Sequence, residues 1–273
     1  MKLRLLLVLC LTLGLSVIGS AALAAGPGGY TCDDGMIPAS TYTSLTVTGN
    51  CYFGPGDVIV NGNVTVKDGA VLNDHANFSQ ADSVTINGNV KVDKGAVLGL
   101  GLYCFSASCP DLNITSVDTT VNGNIIANQP KTLYISFTTV HGNVISNGGG
   151  TTEFLNFPTK DNVIDGNLVI QGWHGGWLGV IRNEVGGNVI VSKNKSVVIE
   201  TPEGCDAELG ECTGYGPGTD SDSTEVQTNQ VHGNLICQGN TPEAQVNDFD
   251  GGQPNTVDGK AIGQCADLVG VQS

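Results

Sequence analysis

One short pattern of apolar and polar positions returns along almost the whole chain: an apolar residue, any residue, Gly, any residue, then an apolar or small residue. It first occurs as Val47-Thr48-Gly49-Asn50-Cys51 and returns at 60–64, 86–90, 121–125, 140–144, 164–168, 185–189, 231–235 and 257–261. Asn follows the glycine in eight of the nine copies. The pattern alternates with period two, which predicts a half-buried strand rather than a helix face. In the copy beginning at Val121, the residues Val121, Gly123, Ile125 and Ala127 are expected on one side, and Asn122 and Asn124 on the other. Glycine weakens a strand, so its return needs a reason. Close approach of stacked backbones and a tight corner with positive φ both supply one, and the sequence leaves both open.

The spacing sets the architecture. Successive motif glycines lie 13, 26, 35, 19, 24, 21, 46 and 26 residues apart. Most of these match one coil of a parallel β-helix; 46 reads as two coils with one degenerate, and 13 as half a coil at the N-terminal end. Lys67-Asp68-Gly69-Ala70-Val71-Leu72 and Asp93-Lys94-Gly95-Ala96-Val97-Leu98 form a second echo of the same kind. No single coil can bury its apolar face alone, so stacking must enclose the core. The expected fold is all-β: a single right-handed parallel β-helix, or β-solenoid, with loop insertions and disulfide-clipped ends. A β-sandwich also uses many short strands, but it does not require one motif returning in register.

The ends and the charge place this solenoid. Lys2 and Arg4, the apolar run from Leu5 and the small residues Ala22-Leu23-Ala24 read as a signal peptide over residues 1–25. Residues 26–44 are expected to form an N-terminal cap or linker, and 45–273 the solenoid with its C-terminal cap. The chain holds 11 basic and 26 acidic residues, net −15. Without the signal, nine basic residues face 26 acidic ones, and Arg182 is the single arginine. Such a surface repels phosphate backbones and anionic lipid, so neither a nucleic acid nor a membrane span after cleavage is expected. Cys32, Cys51, Cys104, Cys109, Cys205, Cys212, Cys237 and Cys265 remain, an even number that fits disulfides in an exported protein. By spacing, Cys104 pairs with Cys109 and Cys205 with Cys212 as loop clips. Cys32 with Cys51 and Cys237 with Cys265 would fasten the two ends. No cysteine spacing resembles a zinc site, and no metal or cofactor is expected.

The V-x-G-N-V steps resemble the bactofilin-type polymer-forming β-helices. With the ending from Gly251-Gly252-Gln253-Pro254-Asn255 through Gly263-Gln264-Cys265, the chain is also similar to a group of exported bacterial β-solenoid proteins carrying the same repeats. The bactofilin resemblance implies end-to-end polymerisation. Bactofilins are typically cytoplasmic and lack disulfides, which the signal and the cysteines here depart from.

Candidate chemistry lies mostly outside the repeat. Gly172-Trp173-His174-Gly175-Gly176-Trp177 holds both tryptophans of the chain. Trp173, His174 and Trp177 are the candidate carbohydrate-binding residues, because amphipathic rings stack on sugars and glycines let a loop open outward. The competing reading packs the tryptophans against the solenoid wall. The residues ahead of the motif glycines, among them Asn61, Asn87, Asn122, His141, Asp165, His232 and Asp258, form a column. A hydrogen-bonded polar ladder is the expectation there, with a cation between His232 and Asp258 as the rival. Thr46, Thr85, Thr120, Thr139 and Thr256 suggest an ice-binding array, interrupted by Ile59, Val163, Glu184 and Gln230. Asn247-Asp248-Phe249-Asp250-Gly251-Gly252 is a weak match to a calcium loop. No paired-carboxylate motif of a hydrolase is evident, and no catalytic residue is assigned. The reading is therefore a secreted, non-catalytic structural or surface-binding solenoid of the cell envelope or matrix. Its expected partners are extracellular polysaccharide or further copies of itself. The alternatives are a polysaccharide-active lyase or hydrolase and an ice- or cation-binding surface.

Overall fold

The computed structural model describes residues 28–73, 81–101, 118–151, 157–196, 224–246 and 252–270. The signal segment and the cysteines at 104, 109, 205 and 212 lie outside them, as does most of the calcium-like segment. Every regular element among the described residues is a β-strand, and every strand pairing is parallel. Three long sheets of ten, eight and nine strands run the length of the molecule. The chain is thus a parallel β-helix. Coils one to eight visit the first, second and third sheets in turn, with the strands of each sheet pairing from one coil to the next; among the described residues, coil nine has strands in the first and third sheets and coil ten in the first.

The coils span residues 30–42, 45–60, 64–86, 90–121, 125–140, 144–164, 168–185, 189–231 and 235–257, with a tenth from residue 261. The expected cap at 26–44 thus supplies coil one, whose strand Tyr30–Cys32 pairs with Leu45–Val47. Inward positions fill the core with Val, Ile and Leu: Val64, Val90, Ile125, Val144, Leu168, Val189 and Leu235 stack in line and are fully buried. The echo at Val71-Leu72 and Val97-Leu98 is direct pairing in the second sheet. Both expected end staples are present, Cys32 with Cys51 and Cys237 with Cys265, each buried inside the stack.

Two details of the sequence reading change. The motif is not one continuous strand: Val121 ends a strand of the third sheet, Ile125 begins one of the first, and Asn122-Gly123-Asn124 forms the corner between them. Gly123 therefore does not face the core. Its role is close approach. A Cβ on Gly142 would lie 2.5 Å from the carbonyl oxygen of Gly123 one coil below, far inside contact distance, and neither glycine has positive φ. The spacing of 46 is also a single coil, since the Gly233 amide donates to the Gly187 carbonyl and Leu235 pairs with Val189. In sequence the additional residues of that coil, 197–223, fall between its first-sheet and second-sheet strands, and they lie outside the described residues. The copy at 47–51 sits at a different corner, between the first and second sheets, which explains its spacing of 13 from the next.

Candidate functional site

The repeated asparagine builds the stack. From Asn63 through Asn89, Asn124, Asn143, Asn167 and Asn188 to Asn234, each Oδ1 accepts both the backbone N–H and the Nδ2–H of the asparagine one coil on. The corner breaks the strand pairing, and the amide side chain restores the lost donor and acceptor. Lys260 takes the place of Asn in the tenth coil and donates only its backbone N–H, so the ladder ends there.

Two further ladders escaped the sequence reading. Between the second and third sheets, Asn162, Asn183, Asn229 and Asn255 are buried and linked Nδ2 to Oδ1. Their Nδ2 groups also reach carbonyls of the coil before, Asn183 to Thr159 and Asn229 to Val180. Between the first and second sheets, Asn194, Asn240 and Gln264 do the same. Most of these asparagines follow a residue at positive φ: Asp161, Arg182, Lys193, Thr228 or Gly239. The sequence signal was an x-Asn pair in which x accepts the left-handed turn, but x is so varied that no motif stood out.

The tryptophan segment serves packing. Trp173 is fully buried, edge-on to Phe157 at 5.5 Å, and its backbone N–H donates to Asn194 Oδ1, so it heads the same ladder. Trp177 is 9% exposed. The glycines do not open a loop: a Cβ on Gly175 would strike the Trp173 ring and one on Gly179 the Trp177 ring. They make room for the indoles. His174 is exposed, in a two-stranded edge sheet beside Lys195. The three expected sugar-binding residues do not form a common open surface, and Trp173 has no free ring face.

Trp177 does belong to a polar cluster on the outer side of the second sheet. Its Nε1–H donates to the buried Glu225 carboxylate at 2.5 Å, and the Lys160 ammonium lies 4.7 Å from its ring centroid. A buried carboxylate is costly without such partners. Glu225 and Lys160 carried no sequence signal, because they are 65 positions apart and only coil stacking brings them to one indole.

The column ahead of the motif glycines is a ladder at Asn61, Asn87 and Asn122, linked Nδ2 to Oδ1. Further on it becomes two exposed pairs, His141 Nδ1 with Asp165 Oδ2 and His232 Nδ1 with Asp258 Oδ2, each at 2.7 Å. Glu184 lies 3.8 Å from the other side of His232. The hydrogen bond to Asp258 raises the His232 pKa above its ordinary value; desolvation opposes it, and the fields of Asp258 and Glu184 add to the rise. Among the described residues no group of three His, Cys, Asp or Glu side chains is placed to hold a metal. The threonine column is real in the third sheet at Thr85, Thr120 and Thr139, but Thr46 belongs to the first sheet.

The outer face of the first sheet holds a feature the sequence reading passed over. Its outward row reads Thr31, Thr46, Thr65 and Lys91 in coils one to four. In coils five to ten it becomes Ile126, Ile145, Val169, Ile190, Ile236 and Ile262, paired in unbroken register. The signal was there: Leu168-Val169-Ile170 and Val189-Ile190-Val191 are apolar where alternation calls for a polar middle residue. The motif asparagines flank this row on one side, and Asn128, Asn147, Gln171, Ser192 and Gln238 on the other.

No family model, curated protein or solved structure matches the chain. Among the described residues no helix is long and apolar enough to cross a membrane.

Proposed function

We propose that this chain is an exported, non-catalytic β-solenoid that acts as a structural or surface-binding module of the cell envelope or extracellular matrix, with weak carbohydrate binding. The observation that carries this reading is the motif ladder, which runs uninterrupted from Asn63 to Asn234. The repeated residues are tied to one another from coil to coil along the stack. The paired cysteines at both ends are compatible with an extracytoplasmic location, where disulfides persist. The acidic balance argues against nucleic acid and anionic lipid as partners.

A second reading, a polysaccharide-active enzyme, takes its support from Glu225 and Lys160 beside Trp177. Incubating the purified protein with a polysaccharide panel, with and without calcium, separates the two. No soluble product is expected. Release of product that stops in Glu225→Gln would replace the structural reading with the enzymatic one.

A further inference from the structure

Resting on that reading, we infer that the outer face of the first sheet in coils five to ten binds an extended, uncharged polysaccharide along the solenoid axis. Three features of the face point to this ligand class.

The first is charge. In a chain of 26 acidic residues, every outward strand position of this face from Ile126 to Ile262 is uncharged. The charged groups stand beside it, at the corners: His141, Asp165, His232, Asp258 and Lys260 on one side and Lys131 and Lys193 on the other. A polyanion would meet the overall negative field, and a polycation would find no carboxylate on the strands themselves. A neutral partner meets neither problem.

The second is chemistry. The central row is β-branched and aliphatic, partly exposed along its length, with Ile262 at 45%. The rows beside it are amides and a serine, of which Asn128, Gln171 and Gln238 are exposed. A pyranose ring lying flat has the matching arrangement, with apolar C–H faces at its centre and hydroxyls along its edges. The C–H faces would cover Ile145, Val169 and Ile190 while the hydroxyls bond to the amides. The hydrogen bonds replace those to water, and the apolar contact supplies the net gain.

The third is shape. Coil spacing of about 4.8 Å makes the six-residue row about 24 Å long, and a four-residue strand is about 13 Å wide. That strip covers roughly 300 Å², well below the roughly 800 Å² per partner of a stable protein interface. It is too narrow to hold a second copy of this chain firmly. It suits a single polymer strand engaged over several coils at once.

The test uses the mature protein with suspended cellulose, chitin and mannan, and with polygalacturonate as the charged control. Depletion of protein from the supernatant gives the affinity. Binding to at least one uncharged glycan is expected, weakened tenfold or more in Val169→Lys and in Ile190→Lys. Thr65→Lys, on the same face in coil three, is expected to bind as the parent does. Far-UV circular dichroism establishes that each variant folds, and Val169→Thr, nearly isosteric, should give an intermediate loss. Equal binding by the lysine variants, or no binding to any uncharged glycan, would overturn the assignment. Self-association in sedimentation that Val169→Lys abolishes would give the face to a second copy instead, and thermal hysteresis lost in the same variant would give it to ice. None of these outcomes bears on bond cleavage, so the non-catalytic reading stands or falls separately on product release.

Discussion

Coils three and four and coils seven to nine enclose the same kind of core but close their corners differently. In the earlier pair, the turn from the first sheet to the second is a local backbone turn. The Ala70 N–H donates to the Lys67 carbonyl and the Ala96 N–H to the Asp93 carbonyl, with Gly69 and Gly95 at positive φ. Outside those turns sit exposed charges, Lys67 and Lys91 against Asp93. In the later coils a left-handed residue is followed by a buried asparagine, whose side chain bonds to the coils on either side. The earlier turns meet the next coil through backbone bonds, Gly69 N–H to the Lys94 carbonyl and Gly95 N–H to the Gln129 carbonyl. The later corners add buried side-chain bonds between coils, and they lie within the stretch, from coil five on, whose outer face is apolar.

The contrast teaches where stability and function divide. In coils three and four, whose turns close on their own backbone, the outward first-sheet positions are polar, Thr65 and Lys91. Coils locked by side-chain ladders hold an exact register over a long distance, which a flat row such as Ile126 to Ile262 requires.

The largest expected effect comes from the inner ladder. Asn183→Ala removes the acceptor for the Asn162 amides and the donor to the Thr159 carbonyl, all buried. Each orphaned buried group costs about 1–3 kcal/mol, so a loss of roughly 4 kcal/mol is expected. Asn89→Ala, at the half-exposed corner of coil four, leaves groups that water can reach, and about 1 kcal/mol is expected. Chemical denaturation of both variants measures the difference. Equal losses would remove the distinction between the two parts of the stack.

A smaller effect separates the corners by charge. His232, between Asp258 and Glu184, titrates above the ordinary histidine value, first through its hydrogen bond to Asp258. A raised folded-state pKa stabilises the fold below the unfolded value near 6.5, and that contribution is lost as pH rises through the folded pKa. Because the pair is exposed, the effect on stability should be slight. Asp258→Asn should bring the His232 pKa down in an NMR titration. An unchanged midpoint would show that the pair does not form in solution.

Much of this fold was legible from the repeat itself. Stacking, parallel pairing and both end staples follow from the returning glycine and the positions of Cys32, Cys51, Cys237 and Cys265. The motif nonetheless looks like one strand in the sequence, because Val121 and Ile125 are both buried and period-two alternation is indifferent to a corner between them. The inner ladders were hidden for a different reason. Asn162, Asn183 and Asn229 share a position in space but follow Asp, Arg and Thr, and they lie 21 and 46 residues apart. Trp173 stands out in the sequence because rare aromatic residues are conspicuous. In the stack, that residue takes a ladder position and fills the core, while the flat face is written in ordinary isoleucines.

The most direct test of a rod held by asparagine ladders is native-state hydrogen exchange, resolved at the ladder amides. The backbone N–H groups of Asn162, Asn183, Asn194 and Asn229, each donated to a buried side-chain oxygen, are expected to exchange only on unfolding of the stack. They should outlast the turn amides of Ala70 and Ala96. Exchange of the ladder amides as fast as those turns would contradict the ladders and, with them, the rigid face they hold in register.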